Sequence, residues 1–319
     1  MRGFRVAAIV GALLWAPATA VAAEKPVVTT GGAANITPTT VVLNGGVNPK
    51  GASTTYFFQF GTTSLYGATT AGTAAGAGNT RIKVAVPVGS LAPATRYHYR
   101  LVAQNAKGIT RGKRRTFKTK RQPLGVSLAA TPNPVRTGGV TTLSGVLSGT
   151  GNGGRQVVVK SNPWPYTQGF LPVGNVLVTN ADGSFSQTLP AVPVNTQFLV
   201  QMPAKPAVIS PIVVVETTVK VTRRVKVRRG ERRGRIRFRG RVTPAVDGRE
   251  VVIPTLGRRS GIWHAVARTF TRHTSGASSS RYRKTIRQRR GGRYRAVVVM
   301  GDKYSSSSSR SIKVRRVKD

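Results

Sequence analysis

Residues 56–60 read Tyr56-Phe57-Phe58-Gln59-Phe60. In an extended chain successive side chains point to opposite faces, so Tyr56, Phe58 and Phe60 share one face and give a sheet a large apolar surface to bury. The same period of two recurs along the chain in short runs bounded by Gly, Pro, Asn and Ser, with 36 Gly and 19 Pro to supply turns. No stretch beyond the N-terminal segment holds a 3.6-residue period. This patterning predicts an all-β chain built from tandem sandwiches. Around the aromatic run, alternation marks strands over 40–43, 55–60, 82–88, 96–104 and 115–119, and Asn105-Ala106-Lys107-Gly108 reads as a turn before the last of them.

Leu91-Ala92-Pro93-Ala94-Thr95-Arg96-Tyr97 matches the pattern L-x-P-x-T-x-Y. With Thr37-Pro38-Thr39-Thr40-Val41-Val42-Leu43-Asn44-Gly45 and Tyr97-His98-Tyr99-Arg100-Leu101 beside it, residues 26–120 resemble the fibronectin type III domains of secreted bacterial proteins. That resemblance implies a sandwich in which Tyr97 is the corner tyrosine, its hydroxyl bonded to backbone just upstream. It implies an architecture and no activity.

Residues 124–216 begin with Thr131-Pro132-Asn133-Pro134-Val135 and carry strand patterns at 141–147, 156–160, 198–201 and 212–215. The turn Asn180-Ala181-Asp182-Gly183 predicts a hairpin. This segment resembles bacterial immunoglobulin-like repeats. Residues 218–319 read as a diverged copy of it. Leu143-Ser144-Gly145-Val146-Leu147 aligns with Phe238-Arg239-Gly240-Arg241-Val242, and Gly154-Arg155-Gln156-Val157 with Gly248-Arg249-Glu250-Val251. The copy is also similar to the Arg-rich β-domains that end many secreted proteins of actinobacterial type.

The N-terminus orders a basic pair, Arg2 and Arg5, an apolar run from Val6 to Ala16, Pro17, and small residues with A-x-A sites at Ala18/Ala20 and Ala20/Ala22. This is the pattern of a secretory signal over residues 1–22, with a mature start near Ala23. The apolar run is too short to span a bilayer. The expectation is therefore a secreted or envelope protein with no transmembrane anchor once the signal is cleaved. The chain has no cysteine among its 319 residues. Exported domains without disulfides must be large enough to form a core unaided, which agrees with modules of this size.

Charge is the other organising feature. Lys plus Arg number 51 against 8 Asp plus Glu, a formal charge of +43. Residues 1–119 hold 14 of the cations, 120–217 hold 6 and 218–319 hold 31. Arg235-Ile236-Arg237-Phe238-Arg239-Gly240-Arg241-Val242 alternates strictly, so Arg235, Arg237, Arg239 and Arg241 fall on one strand face about 6.6–7 Å apart, with the apolar residues on the other. Further basic sets lie at 223–229, at Arg281, Arg283, Lys284 and Arg287, and at Arg293 and Arg295. Candidate polyanion contacts are Arg235, Arg237, Arg239, Arg241, Arg283, Arg293 and Arg295. The expected partner is an anionic cell-wall or extracellular polymer, since guanidinium forks donate paired hydrogen bonds to phosphate. Two competing readings stand beside it. One is a soluble accessory protein that binds a protein partner through its first two modules, its arginines only a compositional habit. The other is a non-specific binder of polyanions or nucleic acid. Specific nucleic-acid recognition has no sequence support: no recognition helix, zinc finger or RNP-like aromatic pair on a strand is present. Trp263 and Tyr282 could stack on a base or sugar, but single aromatics of this kind are more often core or rim residues.

Catalytic material is sparse. No carboxylate occurs between Lys25 and Ala181, and Asp247 and Glu250 read as a turn and a strand start facing arginines. His264 and His273 lack a third ligand, and neither G-x-S-x-G, H-E-x-x-H, a P-loop nor Arg-Gly-Asp occurs. The expectation is a non-enzymatic adhesion or binding scaffold with no cofactor and no metal. Ser305 to Ser309 read as a polar loop.

Overall fold

The computed structural model describes residues 22–227, 234–273, 275–287 and 291–315. The export signal expected over 1–22 lies outside them except for Ala22, as do Arg228, Arg229 and the last four residues. Every regular element among the described residues is a β-strand, so no helix there is long and apolar enough to cross a membrane. The chain forms two compact units, divided between Gln122 and Pro123.

The first unit packs a three-stranded sheet on a six-stranded one, in which the short strands Ala68–Thr69 and Thr73–Gly76 pair with Thr54–Gly61. Val27–Ala34, Val41–Asn48 and Ile82–Val88 pair antiparallel in that order. Facing them, Thr54–Gly61 pairs with Arg96–Asn105, which in turn carries Gly108–Arg111 and Arg115–Lys118. Tyr56 and Phe58 enter the core as their alternation requires, with Leu43, Val47, Tyr99 and Leu101, while Phe60 is only half-buried at its margin. Asn105 and Gly108 face each other across a two-residue hairpin. Tyr97 is buried and stacks on Phe117 with centroids 5.4 Å apart. Its hydroxyl oxygen accepts the Ala92 N–H at 2.8 Å, closing the bend that the Leu91–Tyr97 pattern encodes. Replacing Tyr97 by Phe leaves that N–H without an acceptor and should cost the first unit about 1 kcal/mol. Calorimetry of the intact chain reads this as a lower first-unit transition. An unchanged transition would show that the bond contributes nothing.

The second unit holds two sandwiches of the same plan. In the first, Gly139–Ser148 is flanked by Ala129–Thr131 and Ser184–Val192, and Gln156–Pro163 pairs with Thr196–Met202 in the facing sheet. In the second, Arg235–Thr243 is flanked by Arg224–Val227 and Ser280–Arg287, and Glu250–Leu256 lies between Trp263–Phe270 and the strands Gly292–Tyr294 and Val297–Val298. The two are copies in detail. Phe185 lies opposite Gly145 and Tyr282 opposite Gly240, and in each case a side chain on the glycine would collide with the ring. Ser127 exchanges bonds with Val146 as Thr222 does with Arg241, and Thr179 caps Arg155 as Thr271 caps Arg249. The glycines the sequence aligned are thus the places where an aromatic ring needs the room.

Two expectations are corrected. Asp182-Gly183 does not close a hairpin: the strands either side, Leu177–Val178 and Ser184–Val192, pair in different sheets, so the turn carries the chain across the sandwich. The Asp182 carboxylate accepts the Ser184 N–H at 2.9 Å, which holds its pKa below the usual carboxylate value. Nor are Ser305 to Ser309 simply a polar loop. Ser307–Ser308 is a short strand, and the buried Ser307 and Ser309 hydroxyls accept the Val219 and Ala296 N–H groups. A serine run looks solvated in sequence, but backbone groups between sheets need such acceptors.

The junction of the two sandwiches is also built. Asn195 donates to Asp302 O and accepts the Thr217 N–H, and Val194 packs on the core cluster around Val219 and Tyr282.

Candidate functional site

Strand Arg235–Thr243 is central in its sheet, and the burial of Ile236, Phe238 and Val242, all fully enclosed, fixes which way the alternate residues point. Arg235, Arg239 and Arg241 are exposed on the outer face and Arg237 is half-buried there. Antiparallel register then places further cations beside them. Arg239 lies between Arg224 and Arg283, Arg237 between Lys226 and Thr285, while Arg241 faces Arg281 and Arg235 faces Arg287. With neighbouring strands about 4.8 Å apart, guanidinium stems stand in rows across the sheet. Directly opposed like charges disfavour the pairing. Among the described residues no ion pair reaches this face: Glu250 pairs with Arg268 at 3.1 Å and Asp247 with His273 at 3.5 Å, both elsewhere in the sandwich. Arg237 Nε is buried with no hydrogen-bond partner.

A groove of about 1080 Å³ runs over this face, floored by Arg239, Gly240 and Arg241 and bounded by Arg224, Arg283 and the segment containing Thr269, Phe270 and Arg272. Phe270 is 57% exposed. The Tyr282 ring beneath Gly240 is buried, its hydroxyl donates to Thr222 O at 2.8 Å, and burial pushes its pKa far up, so it takes no charge. The sibling sandwich has the corresponding groove, about 510 Å³, but Ala129, Ser144, Val146, Ser184 and Ser186 occupy the positions of Arg224, Arg239, Arg241, Arg281 and Arg283. One architecture therefore carries a neutral face in one copy and an arginine face in the other. Chemically, the second can neutralise several anionic groups at once.

Of the residues singled out in sequence, Arg235, Arg237, Arg239, Arg241 and Arg283 come together on this face. Arg293 and Arg295 do not. They lie in or next to Gly292–Tyr294 in the opposed sheet, with the Arg295 guanidinium 4.4 Å above the Trp263 ring. Lys284 also departs from its set. It sits opposite Phe238, on the core side of an edge strand, with its ammonium reaching solvent. Sequence reasoning left out Arg224, Arg272, Arg281 and Phe270 as site residues. The Arg281-Tyr282-Arg283 alternation was the available signal for one of them. The register was not.

No family profile matches the sequence, and no curated protein matches it. Solved structures overlap it at low scores. The FN1–FN3 domains of chicken CNTN1 are 16% identical over 91% of this chain and 97% of that one, with a TM-score of 0.31. A tetra-tandem repeat from the extending region of a large adhesion protein is 14% identical over 92% and 74%, with a TM-score of 0.32. Titin domains A168–A170 are 13% identical over 92% and 100%, with a TM-score of 0.37. The fold of this chain stands on its own strand pairings.

Proposed function

We propose that this chain is an exported, non-enzymatic modular scaffold that is held at the cell envelope by binding of its last sandwich to an anionic polymer. The observation that carries the reading is the contrast between sibling faces: cations fill the outer face of one sandwich and are missing from the equivalent face of the other. A compositional preference for arginine would mark both copies alike. Self-repulsion on the face is relieved when a polyanion replaces small counterions. The first unit and the body of the sandwich with the neutral face then serve as the spacer and presenting part. The test is co-sedimentation of the intact chain with purified cell walls, before and after their phosphate polymers are extracted. Retention on intact walls and release from extracted ones is expected. Equal retention on both would contradict a phosphate-bearing anchor, and no retention on either would contradict envelope binding.

A further inference from the structure

The arginine groove does not stop at the edge of its sheet. A second depression, about 620 Å³, is lined by Arg136, Lys220, Arg310 and residues 306–309, and it shares Thr222 and Arg223 with the first. Arg223 stands where the two meet, half-buried, its Nε and Nη2 donating at 2.5 Å to Arg310 O and Ser311 O. Arg136, Lys220 and Arg310 are exposed. The geometry points to a single track for one extended, base-free phosphodiester chain, a polyol phosphate, running from Arg283 and Arg239 past Arg223 to Arg310 and Arg136. This rests on the polyanion reading above and gives it a ligand class.

Cations spread over successive strands suit a chain, whereas a compact anion needs them to converge. Arginine dominates, and its planar fork meets two phosphate oxygens at once. Proteins that hold single-stranded nucleic acid add a series of aromatic platforms on which bases stack. Along this track the Tyr282 ring is buried and already bonded, which leaves Phe270 at one end. Hydroxyl oxygens are supplied instead: Ser308 is exposed, and Thr222 and Thr269, whose hydroxyls donate to Arg241 O and Arg283 O, each keep a lone pair that can accept a further hydrogen bond. These suit the free hydroxyls of a polyol linker.

The experiment is calorimetric titration of the intact chain and of the triple variant Arg136→Ser, Lys220→Ser, Arg310→Ser. The probes are short and long glycerol-phosphate oligomers, thymidine oligonucleotides of equal phosphate number, and polyglutamate of equal charge. Long glycerol-phosphate chains should bind the variant about 10-fold more weakly than the wild type, while short ones, which fit the first groove alone, bind both alike. Equal affinity of both proteins for long chains would overturn the continuous track. Tighter binding of thymidine oligonucleotides would overturn the base-free preference, and equal binding of polyglutamate would overturn phosphate recognition. Failure of every probe to bind would instead remove the polyanion reading itself.

Discussion

Replacing Arg224, Arg239, Arg241, Arg281 and Arg283 by Ala, Ser, Val, Ser and Ser, the residues of the sibling sandwich, should lower affinity for a phosphate polymer by about 100-fold or more at low salt. The side chains are exposed, so the substitutions leave the core untouched, and the incoming residues already work at equivalent positions of the same fold. Stability should move the opposite way. Arg239 lies directly opposite Arg224 on one neighbouring strand and Arg283 on the other, Arg241 lies opposite Arg281, and each such pair opposes folding by up to about 1 kcal/mol. The variant's second unit should therefore melt higher than the wild type's in dilute buffer, and the gap should close as salt screens the charges. Wild-type affinity in the variant would show that the arginines are decorative. A variant that melts lower at every salt concentration would show that they are paired in a way the sheet register does not provide.

Phe238→Ala carries the largest expected cost in stability. Phe238 is fully enclosed between Arg237 and Arg239 on the reverse side of the binding strand, with its ring 5.4 Å from that of Tyr294. Ile236, Ile253 and Val314 complete a small cluster separate from the one around Val242 and Tyr282. So little material cannot close over the vacated volume, and about 3–5 kcal/mol should be lost. Urea unfolding followed by fluorescence of Trp164 and Trp263 reads it. Because the strand presents arginines on its other face, polymer affinity should fall with it. A loss below about 1 kcal/mol would mean that this cluster does not hold the strand.

The sandwich architecture was legible because its signals are local. Alternation in Tyr56–Phe60 and Arg235–Val242, the Leu91–Tyr97 bend and the paired glycines Gly145 and Gly240 each bear on neighbouring residues. The face was only half legible. One strand's alternation puts Arg235 to Arg241 on one side, but whether Arg224 and Arg283 or Arg293 and Arg295 join them depends on sheet partners dozens of residues away. Lys284 shows the limit well, since a basic residue within a basic run took the core side of its strand. The Asp182-Gly183 turn failed for the same reason. A tight turn fixes the reversal of the chain and leaves open which sheet receives the next strand.

The central claim is an uncompensated cationic face that binds by displacing counterions, and the salt dependence of polymer affinity tests it most directly. If the five arginines replaced in the variant each meet a phosphate of a single chain, log K against log salt concentration should slope about −3 to −4 more steeply for the wild type than for that fivefold variant. Parallel lines for the two proteins would contradict it.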